Sequence, residues 1–323
     1  MRAIVMSLLA AAALAGSSYA ADAAGNKVAY FATGPTNRFV AAVSKAFLEK
    51  GKQLGLDITE FDNSYDPAVE VQQVDDAIAR KFDMLAIMAA SSKAIIPALV
   101  RAKQAGIPVV LMTNDVSDRA KGLYVSFIGE SSDALGRIAG ESLLNALKER
   151  GQDKAKVALI TGSLAEGNAP ARVEGFKKAI ASNPGVEIAA IEDAYWDTAK
   201  SEQIAGQLFA RFASQGGLDA IYAMADNQAV AVERAAKAAG INLGVDKGKL
   251  IVVSSNCDAD GLKAIEAGDQ YSTATQVPTA AGEHAAQIVA DHLAGKKVAA
   301  IDNLTAEPIT KANVEEWRKA CTY

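Results

Sequence analysis

Short apolar runs that do not alternate with polar residues recur along this chain, and each is followed by a stretch with helical spacing. Residues 27–33 read as a strand, and residues 39–54 follow with Val40, Val43, Phe47 and Leu54 on one helical face. The unit repeats. Residues 56–61 are a strand, and Pro67 opens a helix through Val71, Val74 and Ile78; a strand at 84–88 and a helix at 95–105 come next. Gly106 stops that helix, and strands follow at 108–112 and 124–128. A second series predicts helices at 134–147, 171–181, 201–212 and 228–239, with strands at 157–161, 186–191, 220–224 and 250–254. Uniformly apolar strands separated by helices imply parallel sheets covered on both faces. Two series imply two such sheets. The tail holds a strand at 271–275, a helix at 279–293 and a short strand around Leu304, too few elements for a domain, so it must complete the sheets already begun.

A chain of 323 residues, half of them apolar, can bury two ordinary cores. Its start reads as a cleavable export signal: Met1 and Arg2, an apolar stretch over 3–14, then Ser18-Tyr19-Ala20 in the small-x-small pattern of signal peptidase. Residues 1–20 are therefore expected to be removed and the rest delivered to the periplasm, away from cellular ATP and NAD. Net charge is -5 with no Lys/Arg block, which argues against nucleic acid and anionic membrane partners. Beyond Leu14 no stretch approaches the ~18 apolar residues that a spanning helix needs. The only cysteines, Cys257 and Cys321, lie far from the signal, so no N-terminal lipid anchor is expected. In an oxidising compartment a bridge between them and a pair of free thiols are both open.

The motifs that could carry chemistry are incomplete. The loop from Gly162 to Gly167 has the glycine spacing of a phosphate loop, but Asn168-Ala169 stands where lysine and a hydroxyl residue are required. Asn256, Asp258, Asp260 and Gly261 approach a calcium loop, yet Glu266 falls one residue early, and the segment reads better as a helix start. His284 and His292 share one expected helix with no third metal ligand nearby. No nucleophile elbow is present, so neither an enzyme nor a cofactor is expected.

What remains is a set of polar and aromatic residues just after the expected strands, where open α/β sheets meet their ligands. Asn37 and Phe39 follow the first strand, and Thr113, Asn114 and Asp115 the fourth. Asn168, Arg172, Tyr195, Trp196, Asp226, Asn227 and Asn256 follow strands of the second series, and Gln276 follows the tail strand. Amides, a guanidinium and aromatic faces suit a neutral polyhydroxylated ligand, because each hydroxyl donates and accepts while C–H faces stack on rings. Helix capping and turn formation account for many Asn, Asp and Thr at such places, and Phe39 and Trp196 also fit ordinary cores.

The order of several short motifs resembles a periplasmic sugar-binding protein of the ribose-binding type, the solute receptor of ABC importers. The resemblance rests on Thr36-Asn37-Arg38-Phe39, Asp66-Pro67-Ala68, the run from Ala105 to Val109, Arg172-Val173-Glu174-Gly175-Phe176 and residues 251–261, and it spans the chain behind the signal. It implies a type I fold: two similar Rossmann-like lobes joined by three crossovers, at 128–130, 274–277 and 300–303. The N-terminal lobe would comprise 25–128 and 276–301, and the C-terminal lobe 129–275 and 302–323. Carried onto this chain, the family's ligand positions are Asn37, Phe39, Thr113, Asn114, Asn168, Arg172, Trp196, Asp226, Asn256 and Gln276. The implied protein is a monomer that captures a small sugar by hinge closure and presents it to a membrane permease.

Departures from the family pattern point to its ligand. Many pentose and hexose binders carry an Asp-Arg pair where this chain has Thr113-Asn114, an Asp where it has Asn256, and Asn-Asp where it has Ala225-Asp226. Fewer charges for one pyranose suggest a sugar alcohol or an unusual monosaccharide. Two rivals stand beside transport: a loaded receptor that signals to a chemoreceptor or kinase, and a secreted glycoside-acting enzyme using Asp226 with Asp115 or Glu130.

Overall fold

The computed structural model describes residues 23–34 and 36–323, so the expected signal at 1–20 lies outside the described residues. The first series folds as β1 (Lys27–Ala32), α1 (Arg38–Gln53), β2 (Asp57–Asp62), α2 (Pro67–Ala79), β3 (Met84–Ile87), α3 (Ile96–Gln104), β4 (Val109–Met112) and β5 (Ser126–Glu130). The second comprises α4 (Ser132–Arg150), β6 (Ala155–Thr161), α5 (Asn168–Ile180), β7 (Val186–Asp193), α6 (Thr198–Phe212), β8 (Ala220–Ala223), α7 (Asp226–Ala238), β9 (Ile251–Val253), α8 (Ala259–Ala267) and β10 (Ser272–Ala274). The tail adds α9 (Pro278–Leu293), β11 (Ile301–Leu304), β12 (Pro308–Thr310) and α10 (Val314–Trp317).

Two six-stranded sheets result, ordered β2-β1-β3-β4-β5-β11 and β7-β6-β8-β9-β10-β12. Every neighbouring pair is parallel except β10 with β12. Along β1, Val28, Tyr30 and Ala32 enter one core while Ala29 and Phe31 enter the core on the opposite face. Val157 and Leu159 are divided in the same way from Ala158 and Ile160 in β6. Burial on both faces is why these strands lack polar alternation. In each sheet the strand order reverses beside the first strand of its series, which opens a crevice at the carboxyl ends of the strands.

The chain changes sheet after β5, after β10 and after β11. The last position corrects the crossover expected at 300–303. Ile301–Leu304 pairs in parallel with Phe127–Glu130 as the sixth strand of the first sheet, so the chain turns to the second sheet beyond Leu304. This strand is an edge with alternate residues exposed, and its Asp-Asn centre resembles a loop in sequence. β12 and α10 were not expected, and both are too short to show a period. Cys257 and Cys321 are joined by a disulfide inside a small core with Leu262, Ile265 and Ile309, which pins the chain terminus beneath the turn after β9.

Candidate ligand-binding site

The carboxyl ends of the two sheets face each other across a narrow cleft lined by residues of both lobes. From the first lobe, Asn37 caps α1 by accepting from the Phe39 and Val40 N–H groups, and this sets Phe39 in the first helical turn at the cleft wall. Thr113, with φ of 55°, and Asn114 follow β4. The Asn114 amide donates to Ala89 O at 3.0 Å and accepts from Asn168 Nδ2 of the facing lobe at 3.2 Å.

Arg172 lies one turn into α5, where it lines the cleft while only 2% exposed. Its height is set by the contact of α4 with α5: a Cβ on Gly136 would stand 2.0 Å from Arg172 O, so the helices meet closely only because glycine is there. The guanidinium donates to Met224 O at 2.6 Å and Gln276 Oε1 at 2.9 Å, and it lies 5.4 Å from the centre of the Trp196 ring. Its Nε is buried without a hydrogen-bond partner, as is Asn256 Oδ1 on the cleft wall. Thr33 Oγ1 and Glu166 Oε1 in the same lining are orphaned too, and since such atoms cost ~1–3 kcal/mol each, the cleft holds polar capacity that the protein itself does not fill.

Two buried carboxyls, Glu130 and Glu166, and the half-buried Asp115 act on this cation. Burial holds Asp115 above the ordinary carboxylate range, against a Ser132 hydrogen bond and the Arg172 charge. Burial pushes Glu130 to about 7, while its own backbone N–H and the Arg172 charge pull the other way. Glu166 reaches about 8 through burial, opposed by a hydrogen bond from Trp196 and by Arg172. Near neutrality the site therefore carries one firm positive charge among carboxyls that titrate late.

Among the expected ligand residues, the structure gathers Asn37, Phe39, Thr113, Asn114, Asn168, Arg172, Trp196, Asn256 and Gln276 around the cleft. Asp226 is the exception and is corrected: it is fully buried behind the wall, where it accepts from Asp258 N at 2.8 Å, from Gln270 Nε2 at 3.1 Å and from the Ser254 hydroxyl. It fixes the turn that carries Asn256. A Cβ on Gly261 would stand 2.3 Å from its carboxyl carbon, so the start of α8 also packs on it. The nominated carboxylate pair across the cleft is consequently not assembled, and Asp258 serves as the N-cap of α8, accepting from Asp260 N and Gly261 N.

Tyr65 and Glu166 line the cleft but were missed. For Tyr65 a signal was present. Ser64-Tyr65-Asp66-Pro67-Ala68 after β2 parallels Tyr195-Trp196-Asp197-Thr198-Ala199 after β7. In both, the aromatic and the residue before it have positive φ, 50° and 63° in the first and 54° and 62° in the second. In both, an Asp caps the next helix. A glycine after the first strand of each series makes room for the ring, since a Cβ would stand 1.9 Å from Tyr65 at Gly34 and 1.8 Å from Trp196 at Gly162. The lobes thus present two rings from equivalent places. Glu166 had no comparable signal, because its role depends on a loop conformation.

Comparison with known proteins places this architecture. The family described as "Periplasmic binding protein domain" matches residues 3–297. The ribose import binding protein RbsB of Haemophilus influenzae is 30% identical over 264 residues, covering 82% of this chain and 84% of that protein. Among solved structures, a galactofuranose binding protein superposes with a TM-score of 0.84 at 18% identity, covering 92% of this chain and 98% of that one. An ABC transporter solute binding protein from Bacillus halodurans with bound myo-inositol does so with a TM-score of 0.83 at 20% identity, covering 93% and 99%. These likenesses to solved structures establish the shared two-lobed fold.

Proposed function

Because this chain belongs to the periplasmic binding protein domain family, we propose that it captures a small neutral monosaccharide or sugar alcohol between its lobes and delivers it to the permease of an ABC importer. The lobes are taken as the chain through Glu130 with α9 and β11, and α4 through β10 with β12 and the terminus; the three sheet changes between them form the hinge. The observation that carries the reading is the buried Arg172. Its terminal nitrogens are held by Met224 O and Gln276 Oε1, which leaves Nε as a rigid, charged donor beside the orphaned acceptor of Asn256. A hydroxyl satisfies both kinds of partner, since it donates and accepts. The rings of Phe39, Tyr65 and Trp196 offer faces for the ligand's C–H edges.

Binding requires no chemical step. Contacts that join the lobes directly include the Phe39–Tyr323 ring pair at 6.4 Å, Tyr65 against the second lobe's core, the Asn168–Asn114 hydrogen bond and the Arg38–Asp260 ion pair at 3.1 Å, the last between half-exposed side chains. Exposed pairs of this kind contribute ~0–1 kcal/mol. Hydrogen bonds from both lobes to one ligand, each ~1 kcal/mol net and ~1.5–3 from a charged donor, are the larger stabilisation of the closed form.

The deciding experiment is a thermal-shift screen of the purified protein against D-ribose, D-allose, myo-inositol, xylitol and glycerol, with stabilising compounds taken to calorimetry. A ligand at a hundred times its Kd adds ~2.7 kcal/mol to the folded state and raises the melting temperature accordingly. No shift with any of them would remove the sugar and polyol reading. Stimulation of an ABC importer's ATPase by loaded but not empty protein tests delivery.

A further inference from the structure

Resting on the receptor reading, we propose that Glu166 is a ligand-contacting, specificity-determining residue whose carboxyl presents an O–H donor to an oxygen of the bound sugar or polyol, so that loading the cleft takes up a proton there. Glu166 sits on the loop between β6 and α5, is 1% exposed and lines the cleft. Its Oε2 accepts from Trp196 Nε1 at 2.7 Å, while its Oε1 is buried with no hydrogen-bond partner. With one oxygen held as an acceptor, the proton of the neutral acid belongs on the other, which is the orphan. Glu166 Oε1 and Arg172 Nε are then two donors beside the acceptor Asn256 Oδ1, a pattern that adjacent hydroxyls complete.

The charged and titratable groups facing Glu166 come from several elements. Arg172 of α5 and Asp193 at the end of β7 lie in its own lobe, and Tyr65 and Glu70 face it from the other. Burial, helped by the Asp193 charge, raises it to about 8, against the Trp196 hydrogen bond, the Arg172 charge and the nearby Asn168 amide, which does not reach hydrogen-bond geometry with Oε1. This burial depends on closure. Ser92 N of the first lobe donates to Ala165 O next door at 3.2 Å, and a Cβ on Gly167 would stand 1.9 Å from Asp115 O. Parting the lobes admits water to Glu166 and returns it to the ordinary carboxyl range, so closure on a ligand binds a proton at any pH between that range and the closed-state value of about 8. Affinity is then fully present below the open-state value and is lost as pH rises through the closed-state value.

The test compares wild type with Glu166→Gln, which keeps a donor and an acceptor without titrating, and Glu166→Leu, which keeps neither. Calorimetric Kd values for D-ribose, D-allose, myo-inositol and xylitol are measured from about pH 5.5 to 8. Wild-type affinity should weaken toward about tenfold per pH unit. Glu166→Gln should retain wild-type affinity at the acid end to within about threefold and lose the slope, whereas Glu166→Leu should lose about tenfold or more. An unchanged slope in Glu166→Gln, or wild-type binding by Glu166→Leu, overturns the assignment. Affinity that strengthens with pH also overturns it, because a carboxylate would then be pairing with a cation. If none of the four compounds binds wild type, the sugar reading falls, and the protonated carboxyl is judged on ligand-free protein. Glu166→Gln must then flatten the pH dependence of unfolding, and an unchanged dependence overturns the proposal.

Discussion

Replacing Arg172 by methionine should separate the contribution of its charged donor from that of its bulk. Methionine keeps an unbranched apolar stem but removes Nε, so the ligand loses one charge-assisted hydrogen bond of ~1.5–3 kcal/mol. At ~1.4 kcal/mol per decade this is a loss of about 10- to 150-fold in affinity. Two further effects follow from the geometry. Met224 O and Gln276 Oε1 lose donors at 2.6 and 2.9 Å inside the protein, which costs about 1–3 kcal/mol for each that water does not reach. The positive charge that draws protons from Asp115, Glu130 and Glu166 also disappears, so those carboxyls titrate still later. Arg172→Lys should recover little, because one ammonium cannot reach a strand-end carbonyl, a hinge amide and a ligand in one plane. Calorimetry with the best compound of the screen, beside thermal melts, reads both effects. Arg172→Met binding within twofold of wild type, with the protein still folded, would refute the view that this side chain anchors the ligand.

The disulfide closes a loop of 64 residues, so Cys321→Ser should lower stability by up to about 4 kcal/mol on the chain-entropy model, and reductant should shift the wild-type melt alike but leave the variant's unchanged. Tyr323→Phe removes the hydrogen bond from the last residue to Asn256 O, at 3.2 Å, and should weaken ligand binding by a few-fold without a comparable change in melting, as calorimetry would show. Glu70 is buried in the first lobe, and burial raises it to about 8 although Ala90 N–H favours its charged form. The folded state thus holds a proton that the unfolded state releases, and stability should fall by up to about 1.4 kcal/mol per pH unit from the ordinary carboxyl range toward pH 8. Chemical denaturation across that range should show the decline, and Glu70→Gln should make it shallower. Gly162→Ala drives a Cβ to 1.8 Å from the Trp196 ring, so the ring must move at ~1–3 kcal/mol and release Glu166; unchanged indole emission in a Trp317→Phe background would contradict this.

The two-sheet fold was legible because burial on both faces makes β1, β3, β4 and β8 uniformly apolar, which a local pattern records. The strand around Leu304 was expected without a sheet assigned to it, and the crossover that the family resemblance put at 300–303 falls inside it, since an edge strand with exposed alternate residues carries no apolar mark. Within the cleft, Asn37, Arg172 and Trp196 could be nominated because side chains just after strands point to the crevice of a doubly wound sheet. The same rule nominated Asp226, but a carboxylate able to accept from Asp258 N, Ser254 and Gln270 is drawn inward rather than toward solvent. Position after a strand does not decide which way a side chain turns.

By itself the sequence determined the order of strands and helices, the two sheets and the neighbourhood of the cleft, because hydrophobic period and turn residues are properties of adjacent positions, and the two-lobed family followed from the resemblance of its short motifs. The tertiary structure decided the chemistry inside. That Arg172 spends two nitrogens on Met224 and Gln276, that Glu166 keeps one oxygen free, and that Tyr65 stands in the place equivalent to Trp196 all depend on groups far apart in the chain. Hydrogen bonds and proton affinities are set by distance and burial, and those exist only once the two sheets face each other.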